Sequence, residues 1–174
     1  LGPKKGKKFK VKCPTTYLST IVFENKTIIR LTLSFDVIAH QRNHIEFYGK
    51  KGSMIVPDPN MFGGSVYVCK KLGQPWKEYK TEKMKLGKIN IRSKSLRANE
   101  SSINANYRGA GLSEMAYCIE NKKKHRCNGE LSLHVLDIIQ STMKASKTGK
   151  KQKITTTCKI PKRFTEKEIR KILN

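Results

Sequence analysis

The sequence predicts an α+β fold: an open, mostly antiparallel β-sheet with two main helices packed on one face. Three observations lead there. Short runs rich in β-branched and aromatic residues, separated by turn signals, fill roughly the first half of the chain. Two stretches with helical periodicity fill the second half. Strands and helices are thus segregated along the chain rather than alternating as βαβ units.

The elements follow in order. Residues 1–12 carry six lysines and two glycines and read as a loop entering a short edge strand at 9–11. Residues 17–23 and 29–35 read as a hairpin about the turn Glu24-Asn25-Lys26, with Ile29, Leu31, Leu33 and Phe35 on one face. After a polar break at 40–44, strands at 45–48 and 53–56 flank Gly49-Lys50-Lys51-Gly52, where glycine supplies the positive φ of a tight turn. Pro57-Asp58-Pro59-Asn60 and Gly63-Gly64 form a long ordered turn, followed by strands at 65–70 and 76–80. Residues 82–105 lack periodicity and read as an extended connection without chemistry.

Leu112, Met115, Ala116 and Ile119 fall at i, i+3, i+4 and i+7, an amphipathic stripe. Residues 129–146 are apolar on more than one face and are expected to form a central, buried helix that Gly149 stops. A last strand at 153–157 and a terminal helix at 165–174, with Ile169, Ile172 and Leu173 inward, complete the set.

A chain of 174 residues suits one domain, so residues 1–174 are expected to form a single α+β unit. Its 37 basic residues against 13 acidic give a net charge of +24, a field that attracts polyanions. The basic residues are mostly lysine and spread along the chain, without interleaved aromatic platforms or arginine forks, so nucleic acid is expected to bind only non-specifically. The five cysteines are odd in number and irregular in spacing, which fits reduced thiols in a cytoplasmic protein better than a disulfide framework. Cys118, His125 and Cys127 lack a fourth ligand at a usual spacing, so no metal is expected. No apolar run is long enough for a membrane span, and Leu1 reads as the start of a trimmed or partial chain.

Two ordered blocks carry a resemblance. The first is Ser34-Phe35-Asp36-Val37 through His40, Ile45-Glu46-Phe47-Tyr48-Gly49, Gly52-Ser53, and Pro57-Asp58-Pro59-Asn60-Met61-Phe62-Gly63-Gly64. The second is Tyr107-Arg108-Gly109-Ala110-Gly111-Leu112, Glu114-Met115-Ala116, His125-Arg126, Gly129-Glu130-Leu131 and His134-Val135-Leu136-Asp137. Together they resemble the C-terminal domain of the glucose-fructose oxidoreductase/inositol dehydrogenase (Gfo/Idh/MocA) family, without its N-terminal Rossmann domain.

The resemblance implies the substrate-side, oligomerising half of an NAD(P)-dependent sugar or polyol oxidoreductase that transfers a hydride. NAD or NADP is implied for the complete enzyme, bound by a separate or fused Rossmann domain. None is expected on this chain alone, and a homo-oligomer through the sheet face is expected. The family's catalytic motifs have no counterpart here, so no catalytic residue is assigned. His40 and Arg108 are the candidate substrate-binding residues. His40 follows a strand and reads either as an exposed loop histidine or as a partner for a sugar hydroxyl. Arg108 precedes a helix and reads either as a structural cation or as a contact for substrate. Asp58 and Asn60 most simply hold their own turn, and His134 a hydrogen bond in the core. A non-catalytic scaffold derived from this domain and a basic nucleic-acid-associated protein are the alternatives.

Overall fold

A computed structural model of the chain describes residues 6–8, 10–90 and 104–173. It is α+β, with eight strands, a single 3-10 turn and three helices among these residues. The chain divides into two compact units, Leu1–Gln41 and Arg42–Asn174.

The first unit is built on an antiparallel hairpin, β1 (Thr16–Val22) and β2 (Ile28–Ser34). Tyr17, Ser19 and Ile21 pair with Leu33, Leu31 and Ile29 on one face, the alternation that period-two patterning requires. The turn closes through Lys26 at φ 67 and the Asn25 side chain, which accepts from the Thr27 amide. Phe35 lies beyond the end of β2 and is 96% exposed, so it does not extend the apolar face as the alternation predicted. There the chain is turned by Asp36, whose carboxylate accepts from the hydroxyls of Thr15 and Thr16 and is held below its usual pKa by them. Lys10 and Val11 form no strand, and Phe9 lies outside the described residues.

The second unit contains a four-stranded antiparallel meander, β3 (Ile45–Gly49), β4 (Gly52–Val56), β5 (Ser65–Cys69) and β6 (Lys77–Lys80), in sequential order. A two-residue turn joins β3 to β4, and the longer segments 57–64 and 70–76 join the next neighbours. A parallel pair of two-residue strands, β7 (Ile89–Asn90) and β8 (Asn104–Ala105), forms a third sheet. The described strands therefore form three sheets rather than one broad sheet.

The helices are α1 (Ala110–Glu120), α2 (Gly129–Thr148) and α3 (Glu166–Leu173). Capping fixes two of them. The Asn128 side chain accepts from the amides of Glu130 and Leu131 at the start of α2, and Gly149 ends it at φ 64. Thr165 and Glu168 form a reciprocal capping box on α3.

Three expectations for this half are corrected. In α1 the buried side chains are Glu114 and Cys118, while Leu112 and Ile119 are exposed. The helix is rotated because it packs on α3, whose Ile169 and Ile172 are buried, and because Arg126 draws Glu114 inward. The helix α2 is not a buried centre: Leu133, Val135, Leu136 and Ile139 remain about half exposed. Its covered stripe instead carries Leu131, His134, Asp137 and Ile138. The strand expected at 153–157 is absent, because the amides of Thr155 and Thr156 bond to the Asp137 carboxylate instead of to a neighbouring strand.

Candidate functional site

The turn at residues 57–64 is the scaffold of the site. Asp58 caps a 3-10 turn at Pro59–Met61 by accepting from the Asn60 amide at 2.9 Å. Phe62 then sits at φ 63, ψ −80, and Gly63 N donates to Met61 O at 2.9 Å. This is a γ-turn with a non-glycine residue at its centre, a strained conformation that neighbouring contacts must hold. They are present. The Phe62 ring lies 5.0 Å from that of Tyr107, Gly63 N also donates to Lys88 O, and Phe62 bridges Ile89. Gly63 is buried so close to Gly87 that a Cβ there would collide with the Gly87 carbonyl. Thr81 ties the two turns from the side, its hydroxyl serving both Gly64 and Gly87.

This packing brings Arg108 to Asn60: the Arg108 Nη1 donates to Asn60 Oδ1 at 2.8 Å across 48 positions of sequence. Arg108 stands just before α1, whose first turn holds no acidic residue and whose N-cap Gly109 offers no side-chain cap. A neutral acceptor thus orients the guanidinium. Among the described residues no carboxylate forms an ion pair with it. Below it, Asn90 is fully buried and its Oδ1 accepts from the Tyr107 amide at 2.9 Å. The segment at 82–105 was expected to be a connection without chemistry, yet its Asn90 anchors the backbone that carries Arg108. Residues 91–103 of it lie outside the described residues.

The two candidate residues are not brought together within one unit. His40 is exposed and belongs to the first unit, Arg108 to the second. Asp58 and Asn60 hold their turn as expected, and Asn60 also holds Arg108. His134 bonds Thr156 Oγ1 at 3.0 Å, and the Thr156 hydroxyl donates to Asp137 at 2.8 Å. The Thr156 amide and hydroxyl, with the Thr155 amide and the Ser141 hydroxyl, bring Asp137 down to about 2.

Sequence reasoning missed the hub around Arg126. Its guanidinium meets Glu114 Oε1 at 2.9 Å and Glu168 Oε2 at 3.2 Å, donates to the carbonyls of Lys162 and Arg163, and stacks 3.7 Å from the Phe164 ring. Glu114 and Arg126 stand 12 positions apart, a separation that no periodic pattern marks. Cys118 lies against Glu114 with its thiol pushed up by burial, so it is no metal-ready thiolate. No group of three metal-ligating residues occurs among the described residues.

The residues present do not fit a dinucleotide cradle. Gly109-Ala110-Gly111 opens α1 after a strand of only two residues, and Glu114, buried and ion-paired, holds the place of the third glycine. No helix of the described residues is long and apolar enough to cross a membrane. Compared with protein-family models, curated proteins and solved structures, the chain gives no match.

Proposed function

We propose that the chain is the C-terminal, substrate-side domain of an NAD(P)-dependent sugar or polyol oxidoreductase of the Gfo/Idh/MocA type, inactive alone and cytoplasmic. The observation that carries this reading is the Arg108 to Asn60 bond. It joins the two blocks in which the resemblance lies, and it leaves the remaining guanidinium donors for a substrate oxygen. A planar fork held on one side is suited to orient a hydroxyl-rich ligand, because its donors are fixed before the ligand arrives. In this reading Arg108 binds substrate, and the nicotinamide cofactor is held by a Rossmann domain, separate or fused. Hydride transfer is the chemistry the cofactor supplies when bound. A face of the sheet pairs two copies.

Ligand-observed NMR of this chain with a panel of hexoses, polyols and NADH tests the reading. A sugar or polyol should show binding that Arg108→Ala weakens about tenfold, the cost of one charge-assisted hydrogen bond, and NADH should show none. Binding of NADH by the chain alone, or no response to any sugar or polyol, would overturn it.

A further inference from the structure

The tight turn between β3 and β4 presses against the end of β5. A Cβ on Gly52 would collide with the Cys69 carbonyl, so only glycine lets the two backbones approach this closely. The approach gathers Lys50 and Lys51 of one turn beside Lys70 of the next, around an open depression. Its floor is the cross-strand row Phe47, Met54 and Val68. The Phe47 ring on this face is 52% exposed, whereas Tyr48, next to it in β3, carries its ring on the opposite face, beside Glu46. Among the described residues no carboxylate lines the depression. The neighbouring Glu46 is engaged by the Asn43 side chain at 2.7 Å and by the Tyr48 phenol, whose ionisation it opposes.

Ammonium groups brought together without a counter-charge repel one another, and an anion relieves that repulsion. We infer that this depression is a docking site for single-stranded nucleic acid, with Phe47 stacking a base and Lys50, Lys51 and Lys70 following the phosphates. A stacking ring beside a lysine track is a combination by which strands are held without reading their sequence. The meander adds Lys70 to the lysine pair that the linear sequence already sets near Phe47. The net charge of +24 favours a polyanion over a second copy of the same chain. The site is independent of the oxidoreductase reading and uses neither Arg108 nor His40.

The test is fluorescence anisotropy of labelled dT20 and of a labelled poly-glutamate peptide, each titrated with the full chain across a salt series. Replacing Lys50, Lys51 and Lys70 by Gln should weaken dT20 binding at least about tenfold and reduce the salt slope by about 2, the effect of three lost phosphate contacts on a single strand. Replacing Lys144, Lys147 and Lys150 by Gln removes the same charge elsewhere and should change affinity less than about threefold. Phe47→Leu keeps the apolar bulk, and should weaken binding about tenfold with the slope unchanged. Equal losses from the two lysine triples, or tighter binding of poly-glutamate than of dT20, would overturn the proposal.

Discussion

Gly63 shows how a single hydrogen atom in place of a methyl group builds the candidate site. Its Cα faces the Gly87 carbonyl, and its amide donates to Lys88 O, so the turn carrying Asn60 rests on the segment that leads to Arg108. Gly63→Ala forces the two backbones apart and is expected to cost about 3 kcal/mol, the scale of a severe overpacking strain. Urea denaturation of the variant measures it. A loss under about 1 kcal/mol would show that the turns can separate without consequence.

At the scale of elements, carboxylates orient the helices together with the apolar stripe of α3. Glu168 accepts from the Thr165 amide and hydroxyl and from Arg126, which brings it from 4.5 to about 2. Asp137 falls from 3.8 to about 2 through its bonds to Thr156, Thr155 and Ser141. Both pKa values are depressed in the folded chain. Their stabilisation is therefore fully present above the unfolded values near 4 and is lost as pH falls through about 2. Thermal denaturation followed from pH 6 down to pH 2 should show the Tm falling through this window. Asp137→Asn with Thr165→Ala should flatten the fall. The same pair of changes should also lower the Tm at neutral pH. An unchanged acid limb in the double variant would contradict the assignment.

For the whole molecule, the charge of +24 opposes the self-association proposed for the sheet face. Screening should reverse that balance, since exposed charges lose their reach as the Debye length shrinks while apolar burial is retained. Light scattering across a salt series is expected to show a dimer growing in as ionic strength rises. A monomer at every salt concentration would exclude sheet-to-sheet pairing.

The strands β1 to β6 and their order were legible in the residues alone, while β7 and β8 were not. Period-two alternation and glycine-bearing turns located β1 to β6 to within one or two positions, because each signal is local and the hairpins need only neighbours. Gly149 marked the end of α2 for the same reason, whereas the Asn128 cap and the Thr165 to Glu168 box emerged only in the structure. The orientation of α1, the exposure of α2 and the loss of a strand at 153–157 were not legible. They follow from Arg126 meeting Glu114 and Glu168, and from Asp137 meeting Thr155 and Thr156, at separations of 12 to 42 positions. Arg108 and the turn at 57–64 were each visible as candidates, but their meeting was not. Periodicity reports which face a residue shares within one element, whereas a buried ion pair or a glycine-to-glycine approach joins elements whose distance in sequence carries no repeat. The α+β class was thus determined by the sequence itself, and the assembly of the site and the facing of its helices were decided only by tertiary contact.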